Sequence, residues 1–220
     1  MTAVRIPPVL RAAAIFMREG ANVLLVDDEA GPPAATTIDV GARSVPFMHA
    51  DVTNSAQVQA VARACEERLE KVHILFNIPG RNPIRQSFQH TTEATWSAML
   101  GRNLTSLFLC AKYFLPLMQR AGGGSIINHA SIDAKLGNPG IAAYSAAKGG
   151  VLPLTHVMAR DLAEYNIRVN SLCTGGIRRP NTPISDADAL RMVVTPANRM
   201  GTAEDIANVA LFLASDLSAY

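Results

Sequence analysis

Short apolar runs alternate along the chain with stretches in which apolar residues recur every three or four positions. Val72–Phe76, Ser125–Ala130 and Ile167–Leu172 read as strands, and Ala21–Val26 is a continuous apolar run too short for a helix. Continuous runs of that length mark strands buried on both faces of a parallel sheet. Ser44–His49 reads as a further strand, and Ala3–Ile6 as a shortened first one. Between them lie helical stripes. Leu10, Ala13, Ala14 and Met17 predict a helix over Val9–Gly20, with Pro7 and Pro8 tolerated in its first turn and Gly20 stopping it. Val58, Val61, Ala62, Cys65 and Leu69 predict a second over Ser55–Glu70, capped by Thr53 or Asn54. Thr91–Gln119 reads as one long helical region bent near Pro116. A helix opening near Tyr144 runs to about Tyr165 with Pro153 inside it, and a last one spans Ala203–Ala214. Residues 34–43 show no clear period, and 81–90 and 173–200 read as loops.

Strands and helices in alternation predict an α/β, Rossmann-like, doubly wound parallel sheet. The 220 residues are read as one domain, 1–220, with material for a sizeable core. The net charge of +2 gives no electrostatic reason to expect nucleic acid or a membrane surface as partner. No apolar run approaches the roughly 18 residues of a membrane span, so a cytoplasmic location is expected. Cys65, Cys110 and Cys173 are scattered, without metal-ligand or disulfide spacing, and read as reduced core-filling thiols.

Candidate chemistry concentrates between Gly124 and Lys148. A buried strand there leads to a loop holding Ser131, then to a helix carrying Tyr144 and Lys148. Four residues apart on a helix, a phenol and an ammonium share one face. With a hydroxyl nearby they form a plausible proton-transfer device. Taken alone, the pair is equally an ordinary core-edge tyrosine beside a solvated lysine.

The wider pattern resembles the short-chain dehydrogenase/reductase family over nearly the whole length. The matching pieces, in order, are Leu25-Val26-Asp27, Asp51-Val52-Thr53, Asn77 with Gly80, Asn103-Leu104, Ser131, Tyr144-x-x-x-Lys148, Arg168-Val169-Asn170-Ser171, Arg199-Met200-Gly201 and Leu211 to Asp216. The resemblance implies an NAD(H)-dependent oxidoreductase that interconverts a secondary alcohol and a ketone. It makes Tyr144 the general acid/base, with Lys148 lowering its pKa and also binding the cofactor. Ser131 would hold the substrate oxygen, and Asn103 would support a water linked to Lys148. Asp27, Asp51, Val52, Asn77, Gly80, Gly175 and Ile177 would complete the cofactor site, and the carboxylate of Asp27 favours NAD over NADP. Partners would be a small-molecule alcohol or ketone and further copies of the chain, as a homodimer or homotetramer.

The sequence also departs from that pattern. The family's Gly-rich phosphate turn would fall on Pro8 and Leu10, and no glycine precedes Gly20. Asn77-Ile78-Pro79-Gly80 replaces a second asparagine with Ile78. Thr174 stands at a usual proline and Arg179 at a usual threonine. The last strand and Gly-rich tail are not found, so the fold is expected to be shortened at both ends. These departures leave an alternative, a catalytically impaired relative or truncated form that acts as a binding or assembly subunit.

Overall fold

A computed structural model describes residues 7–28, 37–40, 43–79, 83–178, 183–185 and 195–220. Ala3–Ile6 lie outside the described residues. Helix α1 (Pro7–Arg18) leads to β1 (Leu25–Asp27) through Gly20, whose φ of +90° suits a residue without a side chain. Strands β2 (Thr37–Val40) and β3 (Arg43–His49) follow, then α2 (Ser55–Leu69) and β4 (Ile74–Asn77). Asn54, rather than Thr53, caps α2, its side chain accepting from the N–H groups of Ala56 and Gln57. Next come α3 (Glu93–Leu100), a π-helical turn (Gly101–Thr105), α4 (Ser106–Arg120), β5 (Gly124–Ser131) and α5 (Asp133–Leu136). Helix α6 (Ala142–Asp161), β6 (Ile167–Thr174) and α7 (Ala203–Ala214) complete the order. A reciprocal capping box of Thr202 and Asp205 opens α7.

The long helical region is therefore two helices joined by a π turn. Pro116 and Pro153 lie inside α4 and α6, which continue through them. Strand β6 also reaches two residues further than the sequence predicts, to Thr174.

Hydrogen bonding joins the strands as β1-β3-β2 and as β4-β5-β6. The pairs β1/β3, β4/β5 and β5/β6 are parallel. Among the described strands only β2, in the stretch whose sequence has no clear period, runs antiparallel to its neighbour, with Ile38 opposite Val45. Adjacent strand residues point to opposite faces, and the core divides accordingly. Leu25, Phe47, Phe76 and Ile127 pack with Val9, Ala12 and Phe16 of α1 and Ile206 and Ala207 of α7. Val26, Leu75, Ile126 and Val169 pack on the other face with Val58 and Val61 of α2 and Cys110 and Phe114 of α4. Each cluster draws strands from both sheets, so helices cover both faces of one layer. Each large buried side chain contributes about 1.5–3 kcal/mol. A cavity of about 430 Å³ interrupts this packing, lined by Val23, Leu24 and Val26 on one side and Ile74, Leu75 and Phe76 on the other.

Cys65 and Cys110 are buried, but Cys173 is exposed, which corrects the reading of all three as core thiols. Among the described residues no helix is long and apolar enough to cross a membrane.

Candidate active site

Because the strand pairs are parallel, Asp27, His49, Asn77, Ser131 and Thr174 all end strands at one edge of the layer. Ligands of open α/β sheets bind outside that edge. Ser131, 5% exposed, closes β5. Its Oγ accepts from the Asp133 N–H at 3.2 Å and donates to the Asp133 carboxylate at 3.3 Å. Its hydroxyl also acts on the Tyr144 phenol, favouring the ionised form.

Helix α6 brings Tyr144 and Lys148 to the same place. Lys148 is only 1% exposed; its Nζ donates to the His129 carbonyl at 2.7 Å and lies 5.8 Å from the centre of the Tyr144 ring. Burial pushes its pKa down to about 7, with Cys173 acting in the opposite direction. The phenol of Tyr144 is pushed up by burial; the Ser131 hydroxyl opposes this, and the Asp133 carboxylate adds to it. The sequence expectation of a lowered phenol is therefore corrected for this arrangement. The physical reason is that burial of the phenol dominates, while Nζ is held by a backbone carbonyl.

Asn103 occupies the π turn and is 1% exposed. Its Nδ2 donates to the Met99 carbonyl at 3.0 Å, while its buried Oδ1 has no hydrogen-bond partner among the described residues. Extra-residue turns of this kind recur at functional sites. The turn lies tightly on α6, since a Cβ at Gly150 would meet Leu104 Cδ2 at 2.8 Å. Asn77 presents a second buried, unpartnered amide oxygen; its Nδ2 donates to Asn128 Oδ1 at 3.0 Å, and Asn128 in turn donates to Thr155 Oγ1 at 3.1 Å.

The remaining cofactor candidates lie elsewhere along the edge. Asp27 ends β1 and is 7% exposed. Asp51 folds back on its own turn, accepting from Thr53 N at 2.8 Å and Thr53 Oγ1 at 2.7 Å, while Val52 packs against the α2 side of the core. Asp28 faces Arg102 Nη2 at 3.6 Å. Gly175 and Ile177 follow β6, and Ile177 bridges to Gly201. Gly80 and Arg179 lie outside the described residues. The structure thus brings Ser131, Tyr144 and Lys148 together and leaves Asp27, Asp51 and Val52 on the β1–β3 part of the edge.

Two further residues near the site carry no signal in the sequence motifs. Asn128 bridges Asn77 to α6, and the only hint was an amide inside the apolar run after Ile126-Ile127. His129 is the other; its Nε2 is 2.9 Å from Thr174 Oγ1, and burial, then the charge of Lys148, hold its pKa well below the usual histidine range.

A family model described as enoyl-(acyl carrier protein) reductase matches residues 10–220. The chain is 38% identical over 211 residues to a protein named probable galactose dehydrogenase from Rhizobium meliloti, spanning 93% of this chain and 82% of that protein. It is 35% identical over 214 residues to a 3-oxoacyl-[acyl-carrier-protein] reductase from Chlamydia pneumoniae, spanning 94% and 84%. The solved structure of a protein described as a short-chain dehydrogenase/reductase from Burkholderia xenovorans matches with a TM-score of 0.84 at 33% identity, over 96% of this chain and 85% of that one. Motif order, layer architecture and these matches agree: the chain belongs to the short-chain dehydrogenase/reductase family of oxidoreductases, whose members use NAD(P).

Proposed function

We propose that this chain is an NAD(H)-dependent oxidoreductase that interconverts a secondary alcohol and a ketone. The observation that carries the reading is the convergence of Ser131, Tyr144 and Lys148 at the end of β5, with the unpartnered Asn103 amide oxygen in the turn packed on α6. The names of the relatives describe dehydrogenase and reductase chemistry, in keeping with it.

The residues present fit a dinucleotide at its two nucleoside ends. Asp27 offers a buried carboxylate to a ribose, and it repels a 2′-phosphate, which favours NAD over NADP. Asn77 and Asn103 hold buried acceptor oxygens that still lack donors among the described residues. Asp51, Val52, Gly80, Gly175 and Ile177 complete the proposed binding set. Between these ends the fit is poorer, because α1 opens on Pro7-Pro8 and its first backbone donors come only from Val9 onward.

A dinucleotide held by these residues would supply hydride chemistry at the carbinol or carbonyl carbon. Ser131 donates a hydrogen bond to the substrate oxygen and holds it beside Tyr144. The Tyr144 hydroxyl delivers a proton to that oxygen in reduction and removes one in oxidation. In its protonated form Lys148 favours the phenolate. Asn103 Oδ1 accepts from a water that replenishes the proton through Lys148. Exposed Phe108 on α4 and Val157 on α6 suit the proposed homodimer or homotetramer.

The test is calorimetry with NAD and NADH, followed by an absorbance screen of alcohols and ketones. Saturable binding, with turnover that disappears in Tyr144→Phe, is the expected result. Absence of binding at millimolar dinucleotide would overturn it. The two prolines that open α1 favour one second reading, a binding or assembly subunit without turnover. Tyr144-dependent turnover would rule that out.

A further inference from the structure

The pairing of His129 with Thr174 is used nowhere in the chemistry above, and it lies directly behind the site. Strands β5 and β6 run parallel from Gly124 opposite Ile167 to Ser131 opposite Thr174. Thr174 is therefore the last residue of β6 and the partner of Ser131. Its backbone carbonyl accepts from Ile132 N at 3.0 Å, and its hydroxyl meets His129 Nε2 at 2.9 Å. His129 also supplies, through its own carbonyl, the oxygen that holds Lys148 Nζ at 2.7 Å. One residue thus contacts both the lysine of the site and the strand end from which the 175–178 segment departs. That segment is fastened at its far end, where Gly201 N donates to the Gly176 carbonyl at 2.9 Å and Arg178 N to the Gly201 carbonyl at 2.8 Å.

We infer that His129 is a positioning residue: its imidazole fixes Thr174, and through it sets the Gly175–Ile177 segment against the end of β5. The chemistry of the pair supports this. A hydroxyl at the end of β6 is free to rotate, and an imidazole nitrogen gives it one direction. The other ring nitrogen, Nδ1, is buried without a partner among the described residues, so the bond to Thr174 is the contact that orients the ring. Burial and the neighbouring lysine charge favour a neutral ring, which keeps the His129–Thr174 bond free of a competing charge.

A pair of this kind has a distinctive mutational signature. Removing one partner strands a buried polar group, whereas replacing both with apolar groups of similar shape is close to neutral. The experiment compares Thr174→Val, Thr174→Ser, His129→Leu and the double variant His129→Leu/Thr174→Val. Amide hydrogen exchange at Arg178 and Gly201 is the first readout, because both amides are hydrogen-bonded across the segment. Thr174→Val and His129→Leu should each speed exchange there by about tenfold, Thr174→Ser should leave it near the parent rate, and the double variant should recover much of the loss. The second readout is the dissociation constant for NADH, expected to rise about tenfold in the two single variants and to stay near the parent value in Thr174→Ser.

The inference rests on the proposed function only for that second readout. If the parent chain binds no NADH, the functional reading fails, and hydrogen exchange alone decides the role of His129. Unchanged exchange in Thr174→Val, additive losses in the double variant, or faster exchange with unchanged NADH affinity in a binding-competent chain would each overturn it.

Discussion

The two halves of the layer are built to different standards. Strands β5 and β6 are 8 residues long and pair along their whole length, and a buried amide chain runs from Asn77 through Asn128 to Thr155. The Ser131, Tyr144 and Lys148 group rests on that half. By contrast β1 is 3 residues long, and the 430 Å³ cavity lies between Val26, with the residues leading into β1, and the side chains of β4. Asp27 and the Asp51 turn rest on this second half. The comparison teaches that the proposed proton-handling groups are held by many mutually supporting contacts, while the proposed adenosine end depends on a short strand beside a cavity. Side chains lining that cavity lack packing partners on one side, unlike those of a close-packed interior.

The largest expected effect tests the firmer half. Tyr144→Phe removes only the hydroxyl and should lower turnover by roughly 10²–10⁴-fold, with the melting temperature little changed. A parallel fall in melting temperature would mean that Tyr144 is a packing residue. Next comes Lys148, whose pKa falls from 10.5 to about 7 on burial. Between those values the unfolded chain binds the extra proton, so stability rises with pH across that window by up to about 1.4 kcal/mol per unit. Below it both states are protonated and the contribution is flat. Chemical denaturation from pH 6 to pH 10 should show this rise in the parent, and Lys148→Met should flatten it.

One chemical change made in each half sharpens the contrast further. Val151 is 0% exposed and packs with Leu107 and Ala130, whereas Val61 lines the cavity. Val151→Ile should cost about 1–3 kcal/mol by overpacking. Val61→Ile should be neutral or stabilising by up to about 0.8 kcal/mol, because its extra methylene has space. Equal effects by urea denaturation would erase the distinction between the halves. The smallest effect concerns the nucleotide end. Asp27→Ser should shift preference from NAD toward NADP by about tenfold, read as a ratio of dissociation constants.

Much of this architecture was legible in the sequence. Apolar runs located the parallel strands, and the Leu10, Ala13 and Met17 stripe located α1, because burial on two faces or one leaves a period. The family was legible because its pieces occur in order, from Asp27 to the segment ending in Asp216. Strand β2 escaped because Thr37-Ile38-Asp39-Val40 is too short to establish a period. The state of Lys148 escaped because a lysine on a helix carries no mark of its burial; only the packing of α6 on β5 supplies it. His129 escaped for a similar reason, since its partner Thr174 lies 45 residues away and the two meet only through strand register.

The π turn at Gly101–Thr105 has one more consequence, for how α3 and α4 are phased. Each residue of an α-helix turns the next side chain by about 100°. A π turn accommodates one extra residue, so the stripe of α3 and the stripe of α4 follow two clocks, offset at Asn103. Deleting a single residue from 101–105 would let the helix close into one regular rod. It would then either swing Asn103 away from α6 or rotate Trp96 and Met99 out of their present bearings. A span from Glu93 to Arg120 that looks continuous is in fact geared, and the unpaired amide oxygen is placed where the gears mesh.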